Sequence, residues 1–293
     1  MKLTRRESLL AAVAGAVNPA PAAPTVEFGP ARVSRLIAGG NPVSGISHMS
    51  AALSREMLDY FTSANIKRLL RDCEQSGVNT WQSRGDRHIL RLLHEYRQEG
   101  GRIQWIAQTA TEIDFERNLR EIAGEKPVGI YLHGVRTDRA WMAGAIDTLQ
   151  DALKAIRQTG ARVGLGSHIP AVFDYVESKN WDLDFYMMCL YNLSRSAGEN
   201  ARLAGKPVPD ELFWDPDRAD MLKRVRATSK QCLIFKVYGA GRWCGSQEQM
   251  LAALRQVAAS AKPQDAVVIG MFPKRQDQVR ENVRLLARAF HTS

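Results

Sequence analysis

The feature that most constrains the fold is a regular alternation of short apolar runs with segments whose apolar residues recur at helical spacing. The eight apolar runs are 36–38, 77–81, 103–107, 128–132, 162–165, 183–190, 232–237 and 266–269. Each is followed by a helical pattern, as in Ile146, Leu149, Leu153 and Ile156. Alternating strands and helices predict a parallel sheet. Eight units, and a length near the roughly 250 residues typical of TIM barrels once an N-terminal leader is removed, favour a closed (β/α)8 TIM barrel of the α/β class over a doubly wound open sheet.

The first residues are typical of an export signal rather than of a folded domain. The segment TRRESLL at 4–10 carries the pair Arg5-Arg6, and a mildly apolar run and a small-residue stretch near Ala22 follow it. This pattern predicts a twin-arginine signal peptide over residues 1–22, with an ordinary secretory signal as the alternative. Residues 23–293 are then expected to form a single barrel domain in the periplasm or otherwise outside the cytoplasm.

Charge and composition limit the partners that this chain is expected to have. The net charge is +9, but the basic residues are scattered through the helical segments, so we expect a small-molecule substrate and no nucleic acid. No internal stretch reaches the roughly 18 apolar residues that a membrane helix needs, which predicts no transmembrane segment in the mature chain. None of the four cysteines form a C-x-x-C pair; Cys73 and Cys189 are predicted to be buried, and a disulfide is neither required nor excluded.

Three residues near strand ends are the candidate catalytic residues. Reactive side chains of barrel enzymes lie where the strands end. His133 follows the end of the predicted strand 128–132, and His168 follows the end of the next one, 162–165. Neighbouring imidazoles lower each other's pKa, which favours the neutral, proton-accepting form. Lys236 lies in the apolar run LIFKV, where burial would let it act as a base or form a Schiff base. The alternatives are a packed, hydrogen-bonded His133 and a Lys236 paired with a carboxylate such as Asp86.

Other residues near the strand ends leave further alternatives open. His48, His133 and His168 could together bind a divalent metal, or they could hydrogen-bond sugars, loops or one another. Tryptophans near loops, at 81, 214 and 243, could stack on a carbohydrate ring. Two long connections, 41–65 and 194–217, are predicted to be loops, of which the second is typical of a lid or binding loop.

The order of several short motifs resembles that of the aldo/keto reductase family. The segment FGPARVSRL at 28–36 with Gly39-Gly40 resembles the opening hairpin that plugs the barrel floor, and GVN, YLH, GLGS and YNL resemble the second, fourth, fifth and sixth strands. IG at 269–270 with EN at 281–282 resembles the closing motif that grips the adenosine end of NADP. The resemblance implies a hairpin from Thr25 to Arg35 below the barrel, NADP as cofactor, and His133 as a catalytic histidine. The cofactor-binding residues expected from the resemblance and from the basic pair after the last strand are Ser167, Asn192, Gly270, Lys274, Arg275, Glu281 and Asn282.

The sequence departs from that family at its catalytic positions. Gln82, Arg87 and Gln108 stand where the family has aspartate, tyrosine and lysine, and the strand-six glutamine falls near Met188. From the order of the motifs we nevertheless expect an exported aldo/keto reductase-like oxidoreductase that acts with NADP on a carbonyl or sugar-type substrate. The alternatives are a non-redox lyase, isomerase or hydrolase for sugars, with or without a metal, and a binding protein that has lost catalysis.

Overall fold

A computed structural model describes residues 23–208 and 211–290, so the predicted signal over 1–22 lies outside the described residues. The closed barrel predicted from the alternation is confirmed, with eight parallel strands in chain order from β3 to β10. The strands are β1 Thr25–Phe28, β2 Ala31–Ser34, β3 Leu36–Gly39, β4 Thr80–Arg84, β5 Gln104–Gln108, β6 Gly129–Leu132, β7 Arg162–Ser167, β8 Phe185–Cys189, β9 Gln231–Phe235 and β10 Ala266–Gly270.

Helices surround the barrel and follow its strands. They are α1 Ala51–Tyr60, α2 Ser63–Gln75, α3 Arg87–Gln98, α4 Phe115–Gly124, α5 Gly134–Met142, α6 Gln150–Gln158, α7 Pro170–Ser178, α8 Ala197–Ala204, α9 Pro216–Ala227, α10 Gln247–Ala258 and α11 Gln278–Phe290. Short 3-10 turns lie at Ile146–Leu149 and Gly239–Gly241. No helix of the described residues is both long and apolar enough to cross a membrane.

The N-terminal hairpin closes one end of the barrel, as the sequence predicts. β1 and β2 pair antiparallel with Thr25 opposite Ser34, and Gly29 makes the turn at φ 62°, a conformation that glycine adopts readily. Val26, Phe28 and Val33 are buried together with inward-facing residues of the barrel strands. The Phe28 ring lies 5.1 Å from that of Phe185, in an edge-to-face contact. These side chains fill the end of the barrel opposite the strand ends at which the candidate residues lie.

The two long connections are not simply loops, which corrects the sequence prediction. The first contains α1, whose N-cap Ser50 accepts a hydrogen bond from the backbone of Leu53. The second contains α8, which begins with a capping box formed by Ser196 and Glu199. Both helices are short and mostly exposed, with one buried residue each, so their apolar periodicity is weak; the capping residues are the readable signal.

The four cysteines are all free thiols. Cys73 and Cys189 are buried, as predicted, and so is Cys232, whereas Cys244 is exposed. Burial raises the pKa of the Cys189 thiol to about 12, so this group stays protonated and apolar in character. The fold is therefore held by side-chain packing without a disulfide among the described residues.

Candidate functional site

We call the face formed by the carboxyl ends of β3 to β10 and the loops after them the mouth. His133 follows β6, His168 follows β7 and Lys236 follows β9, so all three predicted catalytic residues lie at this face. Barrel enzymes have their active sites at this end. Asp138, Glu211 and Phe213, which the sequence reasoning did not assign, also contribute to it.

His133 is both a helix cap and a neutral imidazole. Its Nδ1 accepts a hydrogen bond from the backbone N–H of Val135 at 3.0 Å, at the start of α5. This bond assigns the ring proton to Nε2, which is then a donor. Burial lowers the pKa of His133 to about 4, and repulsion from His168 and Arg84 adds to the effect. The sequence predicted the lowering through a neighbouring histidine, but burial is the larger cause.

His168 is oriented by a buried carboxylate, Asp138. Its Nδ1 lies 2.7 Å from Asp138 Oδ2, so a ring proton on Nδ1 is donated to the carboxylate. Asp138 is 1% exposed and also accepts hydrogen bonds from the hydroxyls of Ser167 at 2.5 Å and Ser194 at 2.6 Å. A side chain at Gly134 would lie 3.2 Å from His168 Cε1, so this glycine lets the ring approach α5. The pair leaves the Nε2 lone pair of His168 as a proton acceptor.

Lys236 carries a buried amine at a strained backbone position. Its φ is 58°, in the left-handed region that a side chain disfavours. Its Nζ has no hydrogen-bond partner among the described residues and lies 5.4 Å from the centroid of the Phe213 ring. Burial lowers the pKa of Lys236, against the attraction of Cys189 and Glu211, and Arg242 lowers it further.

The alternative that pairs Lys236 with Asp86 is wrong. Asp86 is the N-cap of α3, where its Oδ1 accepts the backbone N–H of Ile89 at 3.0 Å. Its other oxygen lies 3.5 Å from Arg84 Nε. The carboxylate is therefore engaged on another side of the mouth, and the Lys236 amine is left without this partner.

Phe213 covers part of the mouth from the connection between α8 and α9. Its ring lies 5.0 Å from that of Tyr191 and 6.4 Å from that of His48. The guanidinium of Arg242 lies over the same ring at 3.8 Å, a cation–π contact. Lys236 and Arg242 are thus brought beside one aromatic ring, with the Lys236 amine buried and Arg242 exposed to solvent.

Glu211, two residues before Phe213, places a carboxylate among these cations. Its Oε2 lies 2.6 Å from His48 Nδ1. Burial alone would raise the pKa of Glu211, but the hydrogen bond and charge of His48, together with attraction to Lys236 and His168, hold it below its usual value. Glu211 is therefore ionised at neutral pH. His48, which Glu211 contacts, and Lys236 both lie beside the Phe213 ring, on the same side of the mouth.

Below the mouth, the barrel interior is uncharged where the resemblance implies charge. Gln82 donates a hydrogen bond to the Tyr131 hydroxyl at 2.7 Å, and Gln108 bonds the same phenol. Burial raises the pKa of Tyr131, so the hydroxyl remains protonated. Arg87 lies on the outer surface of α3 and pairs with Glu121 at 3.1 Å. These positions hold the barrel together but supply no acid or base.

Several residues expected to bind the cofactor have other partners. Ser167 is fully buried and donates to Asp138. Asn282 is also buried; it accepts a hydrogen bond from the Tyr238 hydroxyl at 2.9 Å and donates to the carbonyl of Gln278 at 2.7 Å. The side-chain oxygen of Asn192 accepts from the backbone N–H of Ser194 at 3.1 Å. The polar groups of these three side chains therefore already have partners within the protein.

The remaining expected cofactor residues lie after β10. Lys274 and Arg275 are exposed, and both contact Glu56 of α1, at 2.9 and 2.8 Å. Glu281 accepts a hydrogen bond from Gln247 at 2.8 Å. Gly270 lies against the Pro42 ring, where an added Cβ would come within 2.8 Å. NADP binding at this end of the barrel stays a prediction, and it would require Glu56 to release the two cations.

The metal and carbohydrate alternatives have little geometric support. Within residues 23–208 and 211–290, no three His, Cys, Asp or Glu side chains are grouped so that they could hold a metal ion. Trp81 is fully buried and cannot stack on a ligand. The Trp214 ring lies below the guanidinium of Arg195 at 5.6 Å, and Trp243 donates to the Tyr191 hydroxyl at 3.1 Å.

A groove of about 520 Å³ lies outside the mouth, on the outer surface near α9 and α10. It is lined by Asp215, Arg218, Ala219, Leu222, Lys223, Arg226, Trp243, Gln256 and Ser260. None of the predicted catalytic residues lines it. Its buried cation, Arg218, is already bound to the carbonyl of Val237 at 2.7 Å.

Comparison with known proteins supports the fold and leaves the activity open. No family model matches the chain, and no curated protein matches its sequence. An aldo-keto reductase, AKR11C1 from Bacillus halodurans in its holo form, matches with a TM-score of 0.57 at 10% identity, over 92% of this chain and 94% of that one. A truncated 3-deoxy-D-arabino-heptulosonate 7-phosphate synthase from Thermotoga maritima matches with a TM-score of 0.53 at 11% identity, over 92% of both chains. The chain is thus similar to both in fold.

Proposed function

We propose that this chain is a barrel enzyme that acts on a carbonyl substrate through the amine of Lys236, as a lyase or isomerase. The observation that supports this most strongly is the buried Nζ without a hydrogen-bond partner among the described residues. Burial of an unpaired amine costs stability, so its presence at a strained position is typical of a functional site. Because its pKa is lowered, a larger fraction of the amine is neutral and nucleophilic than in a solvated lysine.

The proposed reaction begins with addition of Lys236 Nζ to the carbonyl carbon. The new C–N bond forms as the carbonyl electron pair moves to oxygen, which takes the proton released by the amine. His168 Nε2 takes up one proton from solvent and passes it to this oxygen, which leaves as water, and a protonated imine remains. The imine attracts electrons from the adjacent carbon, so neutral His168 Nε2 can remove a proton there. Addition of water reverses the imine and releases the product.

His133 and Asp138 support this sequence in different ways. His133 is neutral and carries its proton on Nε2, so it can donate a hydrogen bond to the substrate oxygen as negative charge develops there. Asp138 fixes the ring of His168 through Nδ1 and stabilises the imidazolium that forms during proton transfer. Tyr131 and its two glutamines form the uncharged floor of the site.

NADP-dependent carbonyl reduction remains a second candidate. It is favoured by His133, whose Nε2 proton could equally polarise a carbonyl for hydride transfer, and by the exposed pair Lys274 and Arg275 after β10. A reductase also needs a group that protonates the alkoxide, and Gln82 and Gln108 cannot do so. The export signal places either activity outside the cytoplasm in this proposal.

Reductive trapping tests the proposed function. Incubation with small aldehydes, ketones and keto sugars in the presence of borohydride should add the mass of the reduced adduct, and peptide mapping should locate it at Lys236. Lys236→Met should abolish the adduct, whereas Lys154→Met, which removes an exposed lysine of α6, should leave it intact. Equal labelling of the Lys236→Met variant, or no adduct with any carbonyl, would contradict the proposal. Carbonyl-dependent oxidation of NADPH would instead support the reductase.

A further inference from the structure

The Glu211 carboxylate lies among basic side chains at the mouth, in a position that would also suit a bound anion. It contacts His48 Nδ1 at 2.6 Å, and its side chain is 39% exposed. Asp138, by contrast, is enclosed by His168 and two serine hydroxyls and forms part of the fixed structure. Glu211 has one such partner and access to solvent, so its carboxylate can leave the site without breaking a buried network.

The basic groups around Glu211, which are His48, Lys236 and Arg242, form a pocket beside one aromatic ring. The centroid of the Phe213 ring lies 6.4 Å from that of the His48 ring, 5.4 Å from Lys236 Nζ and 3.8 Å from the guanidinium carbon of Arg242. Arg242 is fixed by bonds to the carbonyls of His48 at 3.2 Å and Gly239 at 3.0 Å, so its charge is held in place. A carboxylate that enters this pocket meets fixed donors at little cost in reorganisation.

The backbone is strained where this pocket is built. His48 and Lys236 have φ values of 54° and 58°, and Ala240, between Lys236 and Arg242, has 55°. A non-glycine residue in this region is strained and persists only where the surrounding structure imposes the conformation. Three such residues define this side of the mouth, where the Lys236 amine is buried while Arg242 and Glu211 are exposed, so that an anion from solvent can reach the basic groups.

From this geometry we infer that the substrate carries a carboxylate beside its carbonyl group, as a 2-oxo acid does, and that Glu211 holds the place that this carboxylate takes on binding. The substrate carboxylate would displace Glu211 and bind His48 and Arg242, which positions the carbonyl carbon near Lys236 Nζ. This inference rests on the proposed function for the carbonyl, but the carboxylate subsite stands on the contacts of Glu211, His48 and Arg242 alone.

Binding of a matched pair of ligands to the purified full chain tests the inference. Pyruvate and its neutral analogue pyruvamide have nearly the same shape but differ by one charge. We expect Glu211→Gln, which removes the competing charge, to tighten pyruvate binding about tenfold in calorimetry, equivalent to about 1.4 kcal/mol, and to leave pyruvamide within about twofold. Arg242→Gln should weaken pyruvate alone. Glu116→Gln, an exposed carboxylate of α4, is the control for the change in net charge and should change neither.

The outcomes separate this inference from the proposed function. Equal effects of Glu211→Gln on both ligands, no binding of pyruvate, or a larger gain for inorganic phosphate than for pyruvate would overturn the carboxylate subsite. If pyruvate binding shows the expected dependence on Glu211 but borohydride gives no adduct at Lys236, the subsite stands and the proposed imine chemistry fails. If adducts form equally with both ligands, the imine chemistry stands and the carboxylate inference fails.

Discussion

Replacing His133 with asparagine should remove a specific part of the pH dependence of folding stability. In the native protein the imidazole is buried, neutral, and accepts the N–H of Val135 at the start of α5. Asparagine is a favoured N-cap whose carbonyl oxygen can accept the same hydrogen bond, and it does not titrate. The variant therefore keeps the helix start while it removes the proton-binding group.

The size of the effect follows from the two pKa values. His133 has a pKa of about 4 in the fold, against 6.5 for the free side chain. As the pH falls below about 6.5 the unfolded chain binds this proton first, so the contribution of His133 makes the native state lose stability toward acid. The full difference corresponds to about 3 kcal/mol, of which about 2 kcal/mol is lost between about pH 7 and pH 5.

Urea unfolding of the mature chain at several pH values measures this directly. The free energy of unfolding of the wild type relative to His133→Asn should fall by about 2 kcal/mol over that interval. His88→Asn provides the matched control, because His88 is exposed on α3, and its curve should run parallel to that of the wild type. Parallel curves for His133→Asn and the wild type would show that His133 is not held neutral in the fold.

Three further predictions concern the other parts of the molecule. Asp138→Asn should lower turnover at least about 100-fold, since it disturbs the ring tautomer of His168. Kinetics with a substrate identified by trapping would measure this loss, and an unchanged rate would contradict it. Glu56→Gln should strengthen any NADPH binding near Lys274 in calorimetry, because it removes the carboxylate that pairs with this lysine. If neither NADP nor NADPH binds at about millimolar concentration, the reductase candidate is removed. Replacing Arg5 and Arg6 by lysine should block export, and undiminished mature protein in the periplasm would refute the twin-arginine prediction.

The sequence could predict the barrel and part of the mouth because both depend on local patterns. Parallel strands that are buried on both faces are continuous apolar runs, so each strand was found to within a few residues. β4 shows the typical error: it begins at Thr80 rather than at Gly77, because Gly77 takes a φ of 77° after α2. His133, His168 and Lys236 could be placed at the mouth since the ends of parallel strands share one face.

The partners of those residues could not be predicted, because they come from segments whose position is set by tertiary packing. Asp138 reaches His168 only because α5 begins directly after His133, whereas the clear helical periodicity starts later, at Ile146. Glu211 and Phe213 lie in an irregular connection without periodicity. Whether the Lys236 amine is paired depends on which carboxylates already have other partners. Asp86, for example, caps α3, and the sequence alone does not give that information.

A short sequence motif does not fix the role of its residues, and Asn282 illustrates this. It lies in the segment that resembles the closing motif of the aldo/keto reductases, but in the structure it is buried and joins Tyr238 to the start of α11. In the interior, glutamines at positions 82 and 108 hold a neutral phenol, so no charged acid or base remains there. The buried amine is found instead on the far side of the mouth, after β9 and below Phe213. In the proposed reaction the chemistry starts from Lys236, and the charges of Arg242 and Glu211 beside it would select the substrate.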